Sequence, residues 1–435
     1  MTRTQAFGII RKVLKIAKAD AVSAGVRADT NASTRIADNA ITQNVRTESQ
    51  GLWVEVAYGK RSGGASTNDL GDASLRAVVA RAQQIAKVTP PDPEYMPPLP
   101  GAEAKRYPVV SAFVPATLAQ TPMDRARVLA SAAAGVRRRR LRLSGAWSTS
   151  GTWSAFGNSK GLRAWHRLTY AEAHMTVLGP AGSGWAQAIS TDAGEVDVAA
   201  VVAEAAGIAV RAQHAVDLPA GKYDVIMRPA AVADILGFVL WGGFDAKATD
   251  ERRTFLRGKL GRKVFGDNIN LRTDPGDPRC PGWPFHGDGL AAKPRFWIRN
   301  GVVENLIYSR YWAKKKRKAP TGWPTNTILD GQGTSVDDMI ASTKRGLLIT
   351  RFWYIRDVDP MAPTVTGMTR DGLFLVENGR IVKPVKQMRF NENLVGVFSR
   401  VEALGVPVVS GEWGGMVVPP LKVRDFTFTS TTRFG

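Results

Sequence analysis

The stretch Leu218-Pro-Ala-Gly-Lys-Tyr-Asp-Val-Ile-Met-Arg-Pro-Ala-Ala-Val-Ala-Asp-Ile-Leu-Gly-Phe-Val-Leu-Trp241 decides how this chain divides. Helical periodicity upstream stops at Leu218-Pro219-Ala220-Gly221, where proline and glycine punctuate the chain. A strand, Tyr223 to Met227, opens the second half. The helix after it, Pro229 to Trp241, has its proline in the first turn, where the missing N–H would have had no intrahelical partner. The spacing therefore predicts an α+β protein: an N-terminal α/β domain over residues 1–217, and a β-rich C-terminal domain of barrel or sandwich type over 218–435, decorated by that one helix.

Upstream of the boundary, Phe7, Ile10, Val13, Leu14 and Ala17 fall at helical spacing, predicting a first helix. Thr34 to Val45 and Leu52 to Tyr58 read as extended, the latter with Leu52, Val54, Val56 and Tyr58 on one face. A helix over Ala73 to Lys87 comes next, with Asp72 as its expected N-cap, then a proline-dense connector from Pro90 to Pro100. A further helix starts at Thr121, where Pro122 and Asp124 give capping-box spacing. From Arg137 to Val177 the pattern is of strands, with Asn158-Ser-Lys-Gly161 supplying a hairpin turn, and a helix over Val196 to His214 closes this half. Beyond the boundary, short strands are expected at Val302 to Ile307, Gly346 to Ile355, Gly372 to Val376, Arg380 to Val385 and Leu421 to Phe428.

The chain has 435 residues, enough for two or three domains with cores of their own. Its 59 Lys+Arg against 38 Asp+Glu give a formal charge of +21, which attracts polyanions, acidic proteins or anionic headgroups without selecting among them. A lone cysteine, Cys280, excludes an intrachain disulfide framework and fits a reducing, cytoplasmic setting. No apolar run is long enough to span a membrane. The basic N-terminal helix, with Arg3, Arg11, Lys12, Lys15 and Lys18, reads as a helix packing its apolar stripe on the domain; a transit or surface-binding segment is the other reading.

Catalytic chemistry is poorly supplied. The four histidines, His166, His174, His214 and His286, have no helical i, i+4 partner for a hydrolytic zinc site, and no G-x-S-x-G elbow is present. Cys280 sits in a proline-dense loop without a neighbouring base, so a structural thiol is favoured over a reactive one. The glycine strings read as turns rather than as a phosphate loop. Two basic runs remain. Arg137 to Arg140 fits an edge strand guarded by charge. Lys314-Lys-Lys-Arg-Lys318 lies between Tyr311 and Trp312 on one side and Trp323 on the other, a mixture suited to single-stranded nucleic acid or an acidic peptide as well as to a solvated loop.

A set of motifs in a fixed order carries more. Phe255-Leu-Arg-Gly-Lys-Leu-Gly261, Gly287-Asp-Gly289, Gly301-Val-Val-Glu-Asn-Leu306, Thr321-Gly322, Ser335-Val-Asp-Asp-Met-Ile340, Arg345-Gly346, Asp357-Val-Asp-Pro360, Gly372, Glu377-Asn-Gly379 and Lys383-Pro384 succeed one another as in the C-terminal half of the TldD/TldE (PmbA) family, which this chain resembles. Thr34-Arg-Ile-Ala37, Gly51-Leu52, Ala65-Ser-Thr-Asn68 and Asn158-Ser-Lys-Gly161 extend the resemblance to the N-terminal half. The resemblance implies a zinc peptidase fold in which a catalytic TldD subunit, with a His-Glu-x-x-x-His helix and a later Cys ligand, pairs with a TldE subunit lacking them. On the matching helix, Ala233 to Asp245, this chain has Gly237, Phe238 and Gly242 where the motif has His, Glu and His, and Ser410-Gly-Glu-Trp-Gly-Gly415 where the late Cys would lie. Glycine and phenylalanine have no side-chain donor for zinc and no base for its water.

The resemblance thus implies a TldE-like, non-catalytic subunit with no catalytic residue and no metal of its own. It would form a heterodimer with a TldD-like subunit that carries the zinc and cleaves extended peptides, either unfolded proteins or leader peptides. Thr321, Gly322, Arg345, Trp413, Lys314, Lys315 and Lys316 are the candidate peptide- or partner-binding residues. A peptide- or nucleic-acid-binding module without chemistry is the alternative; nucleic acid ranks below peptide, since basic charge alone does not require it.

Overall fold

The computed structural model describes residues 1–359, 361–411 and 415–432. In its first part, α1 (Arg3–Ile16) leads into three antiparallel strands, β1 (Ala21–Ala37), β2 (Ala40–Tyr58) and β3 (Arg61–Thr67), then α2 (Asp72–Val88). After the proline connector come α3 (Pro115–Ala119), α4 (Pro122–Arg138), the strands β4 (Arg142–Asn158), β5 (Arg163–Leu178) and β6 (Ser183–Ser190), and α5 (Val198–Arg211). The strands form one six-stranded sheet in the order β3-β2-β1-β4-β5-β6.

Side-chain alternation splits this sheet into two faces. Val22, Ala24 and Val26 on β1, with Val54 and Val56 on β2, pack against Ala6, Ile10 and Val13 of α1 and Leu75, Val79 and Ala82 of α2. Leu143, Trp147, Ala173 and Met175 continue that face under α4 and α5. The opposite face carries no α-helix among the described residues, only a 3-10 turn over Gly101–Arg106 at one end, and turns toward the second half of the chain. Gly184 shows how closely α5 approaches the sheet: a Cβ there would lie 2.2 Å from the Ala205 carbonyl oxygen.

Three expectations fail here. Thr34 to Val45 is not one extended run but a hairpin, because Asp38 and Asn39 both take left-handed φ (48° and 64°) as a tight primed turn requires. Asn39 also fixes the turn against β4, donating to the Leu141 carbonyl at 2.8 Å and accepting from Leu143 N at 2.8 Å. The N-cap of α2 is Gly71, and Asp72 instead pairs with Lys12 of α1 at 2.6 Å. Arg137 and Arg138 end α4, and Arg139 is its C-cap, so that basic run guards no strand. The expected capping box of α4 is present, with Asp124 N donating to Thr121 Oγ1 at 3.1 Å.

In the second part, β7 (Gly221–Met227) leads into α6 (Pro229–Gly243) and α7 (Ala246–Asp250). Then come β8 (Leu271–Thr273), β9 (Arg295–Arg299), β10 (Val302–Val303), α8 (Arg310–Lys316), β11 (Ile328–Leu329) and α9 (Val336–Ala341). The chain ends with β12 (Arg345–Asp359), β13 (Thr364–Glu377), β14 (Arg380–Pro384), β15 (Met388–Asn393), α10 (Leu394–Ser399), β16 (Val401–Leu404), β17 (Val408–Ser410), β18 (Met416–Val418) and β19 (Leu421–Thr431). The strands β12, β7, β19, β15 and β13 pair in turn, and β13 pairs back to β12, closing a five-stranded barrel. A second sheet runs β10-β9-β8-β11-β18-β17. The strand expected over Val302 to Ile307 stops at Val303.

The barrel has a different core on each side of its wall. Tyr223, Val225 and Met227 of β7 share a core with Leu347, Ile349, Phe352, Phe390, Phe426 and α6. The alternate residues Ile226, Leu348, Phe374 and Val376 pack instead with Ile208 of α5, with Ala212 at its C-cap and with Met339 of α9. Helix α5 therefore serves both halves. A polar tie lies beside it: Ser183 Oγ donates to Asp371 at 2.6 Å, and Asp371 also accepts from Arg351 Nε at 2.8 Å.

Candidate functional site

Helix α6 contains the positions Gly237, Phe238 and Gly242 that the family resemblance was expected to match to a metal-binding motif. It is apolar almost all round, with Ala231, Val232, Ile235, Leu236, Val239 and Leu240 buried, as a helix enclosed by a core must be. Asp234 Oδ2 accepts from the backbone N–H of Phe352 on β12 at 2.8 Å and so fixes the helix against the barrel. Gly237 is buried, Phe238 packs partly buried on the barrel core, and Gly242 is half-buried with open space where a Cβ would be. The indole of Trp241, itself 61% exposed, lies over Gly237.

Ser410 and Gly411, which open the segment expected to match the family's late cysteine, lie beside this helix. A Cβ on Gly411 would come within 2.9 Å of the Ala233 Cβ. Gln187 of β6 holds the same glycine by two hydrogen bonds, accepting from Gly411 N and donating to Gly411 O, each at 3.1 Å. The fold thus brings together the helix and the loop from which a ligand set would be drawn. The atoms present do not fit zinc: glycine, phenylalanine and alanine offer no donor, and among the described residues no three His, Cys, Asp or Glu side chains are grouped so as to hold a metal ion. Trp413 and its neighbours at 412 and 414 lie outside the described residues.

The helix-free face of the N-terminal sheet borders a cleft of about 660 Å³. Its floor is Arg27, Asp29 and Asn31 of β1 with Ser150 and Thr152 of β4 and Tyr170 of β5; its opposite wall is Arg279, Cys280, Trp283, Thr325 and Asn326. These charges are neutralised locally. Arg27 pairs with Asp29 at 2.8 Å, Thr152 Oγ1 donates to Asp29 at 2.6 Å, and Arg279 pairs with Asp277 at 2.6 Å. The wall is held by Asn326, whose amide donates to the carbonyls of Asp274 at 2.6 Å and Cys280 at 2.7 Å.

No nucleophile is activated there. Burial, with Asp277 adding to it, pushes the Cys280 thiol up to about 11, so the structural reading of this cysteine fits. Burial pushes His166 down to about 4, and its ring sits edge-on to Trp283 with centroids 5.1 Å apart, a neutral imidazole packed as an aromatic. A cleft lined by hydroxyls, amides and compensated ion pairs can hydrogen-bond a polypeptide main chain.

The structure does not gather the candidate binding residues into one place. Thr321 is buried and structural, its hydroxyl accepting from Tyr308 N at 2.8 Å. Gly322 (φ 65°) seats the His286 ring where its own Cβ would be, within 2.3 Å. Arg345 opens β12, seven residues before the Phe352 that meets α6, and pairs with Glu377 at 3.6 Å. Lys314, Lys315 and Lys316 form the last turn of α8 rather than a loop. Their aromatic neighbour is occupied: Trp312 is buried, donates to Asp250 at 2.6 Å, and has the Lys315 ammonium 4.2 Å from its ring centroid. That indole cannot stack on a base. Sequence reasoning missed Asp29, Thr152, Trp283 and Asn326, which come from separate strands and loops and share no local motif.

Comparison with known proteins agrees with this architecture. Residues 220–430 match the model of the PmbA/TldA metallopeptidase C-terminal domain, and residues 22–86 match PmbA/TldA metallopeptidase domain 1. The metalloprotease PmbA of Escherichia coli O157:H7 is 24% identical over 406 residues, covering 88% of this chain and 87% of that protein. An uncharacterised protein of Methanocaldococcus jannaschii is 25% identical over 217 residues, and there the match spans about half of each chain, 46% of this one and 49% of the relative. The crystal structure of TldE from Thermococcus kodakarensis superposes with a TM-score of 0.88 over 97% of this chain and 99% of that one, at 18% identity.

Proposed function

Because this chain belongs to the TldD/TldE (PmbA) metallopeptidase family, we propose that it is the non-catalytic, TldE-like subunit of a two-subunit peptidase, and that its partner is a TldD-like chain carrying the zinc. The observation that carries this reading is α6: it lies against the Ser410–Gly411 segment as a metal-site helix would, yet presents Gly237, Phe238 and Gly242. In this scheme the chain contributes no acid, base or metal. It contributes surface, and the polar cleft between β1, β4, β5 and the Trp283 wall is the part suited to an extended peptide, unfolded protein or leader. Its buried thiol fits a reducing compartment, so we place the complex in the cytoplasm.

Nucleic acid is the weaker partner on one specific ground: the ring of Trp312, just before the Lys314–Lys318 run, is committed to Asp250 and to the lysines themselves. The test is metal content and peptide turnover of the purified chain by itself. The expected result is substoichiometric zinc and no cleavage of an unstructured peptide. One zinc per chain with turnover would overturn the reading.

A further inference from the structure

A second, smaller cavity of about 270 Å³ lies on the same helix-free face, over β2, β1 and β4. One row of paired residues builds its floor. Gly25 of β1 stands opposite Trp53 of β2 on one side and Phe156 of β4 on the other. Because Gly25 has no side chain, the Trp53 indole lies across β1: a Cβ there would fall 2.1 Å from the indole Nε1. The indole thereby reaches Phe156, with ring centroids 5.9 Å apart and planes 29° from parallel. The two rings make an aromatic shelf over three strands, and Trp53 is still 38% exposed.

The next row on this face holds Ser23 of β1 opposite Glu55 of β2. Glu55 lines the cavity beside the shelf and has no ion pair or side-chain hydrogen bond among the described residues; burial pushes its carboxyl up from the ordinary value, and no neighbouring charge counters that. The guanidinium that lines the cavity, Arg310, is committed elsewhere: it is 13% exposed, faces Asp288 at 3.7 Å and donates to the Pro97 carbonyl. Two carboxylates against one guanidinium leave this cavity negative on a chain whose total is +21. The phenol of Tyr95, also in the lining, feels the same sign: burial and then Glu55 raise it, with Arg310 opposing and Asp20 adding.

An aromatic shelf with an uncompensated carboxylate at its rim suits a cation carried on an apolar stem. The ring faces attract the positive head and cover the methylenes, and the carboxylate supplies the opposite charge. Lysine and arginine side chains have that form. Ser23 of this cavity and Arg27 on the floor of the cleft are four residues apart on one face of β1, about 13 Å at the rise of a strand. An extended chain that follows β1 out of the cleft therefore brings a side chain to the shelf within a few residues.

We propose that the Trp53–Phe156 shelf with Glu55 is a specificity pocket for one lysine or arginine side chain of an extended peptide held in the cleft. This rests on the reading above that the chain holds such peptides, and adds which side chain is selected and by which residues.

The test uses the full chain alone and two short capped peptides, glycine and serine throughout apart from a central arginine in one and its uncharged isostere citrulline in the other. Titration calorimetry in about 0.15 M salt, where charges are screened beyond about 8 Å, compares their affinities. Long-range repulsion from the +21 chain works against the arginine peptide, so a preference for it measures the local site. The arginine peptide is expected to bind about tenfold more tightly than the citrulline peptide. Glu55→Gln should bring that ratio below about threefold, and so should Gly25→Ala, which displaces the indole and leaves the carboxylate. Trp53→Leu, at a position open to solvent, gives the same reading if alanine at 25 disturbs the strand. Equal binding of both peptides, or a preference that survives Glu55→Gln or Trp53→Leu, would overturn the pocket and leave the subunit reading standing. Binding of neither peptide would overturn the pocket together with the reading that this chain holds peptides.

Discussion

The ring of Trp241 covers Gly237: a Cβ on that glycine would meet the indole Cζ3 at 3.3 Å and Cη2 at 3.4 Å. Gly237, which the family resemblance was expected to match to a metal-binding histidine, is thus the seat of an aromatic one turn further along the same helix. Replacing Gly237 by alanine should raise helix propensity by up to about 1 kcal/mol, but only if the indole can move aside. We expect Gly237→Ala to be close to neutral in the native chain and stabilising in a Trp241→Ala background. Denaturant unfolding of the four proteins reads the difference as a coupling of at least about 0.5 kcal/mol. Strict additivity would mean that the two residues do not interact.

His166 makes stability depend on pH. Its folded value, about 4, lies below the ordinary 6.5, so the unfolded chain takes up a proton that the folded chain refuses. The contribution of the neutral ring is complete above pH 6.5 and declines as pH falls toward 4, by no more than about 3 kcal/mol. His166→Phe keeps a ring beside Trp283 and removes the titration. Unfolding free energies at pH 7 and 4.5 should fall less in the variant than in the native chain; an equal fall in both would contradict this.

The close approach at Gly184 sets a steric prediction. With a Cβ only 2.2 Å from the Ala205 carbonyl oxygen and 2.4 Å from Ala209 N, alanine cannot be accommodated without lifting α5 from β6. Gly184→Ala should cost about 1–3 kcal/mol by overpacking. Because α5 also packs on the barrel through Ile208, the loss should appear in a single transition spanning both halves. An unchanged unfolding midpoint would show that the helix yields freely.

In the cleft, Asp29 cancels Arg27 and accepts from Thr152. The Arg27 side chain is 59% exposed, so Asp29→Asn should change stability by less than about 1 kcal/mol. It should nonetheless leave the cleft with an uncompensated guanidinium. Complexes carrying it are expected to favour acidic over neutral peptides of equal length, an advantage that shrinks with added salt. Identical selectivity before and after the change would remove the cleft from the path of the peptide.

Local pattern made several of the helices legible. Thr121 and Asp124 announced α4, Pro229 announced α6, and the proline-glycine break at Leu218 to Gly221 announced the strand that follows it, because caps and breakers act over a few residues. The Asp38-Asn39 turn was hidden inside an otherwise extended run, since neither residue is glycine and the left-handed pair is stabilised by Asn39 reaching Leu141 and Leu143, about a hundred positions away. The run Arg137 to Arg140 was misread because a basic helix end and a basic strand edge look alike in sequence. The expectation of an emptied motif at Gly237, Phe238 and Gly242 rests on the family pattern, since no local property of these residues announces it. The cleft was not readable at all: Asp29, Thr152, Trp283 and Asn326 meet only after the sheet has formed and the loop after β8 has closed over it.

The most direct test of the central claim is to co-express this chain, tagged, with a His-Glu-x-x-x-His homologue from the same genome, purify through the tag, and measure zinc and peptidase activity. The account predicts that the homologue co-purifies with one zinc per pair, and that the pair cleaves an unstructured peptide that neither chain cleaves alone. An untagged homologue left in the flow-through, with this chain recovered metal-free and inert, would contradict it.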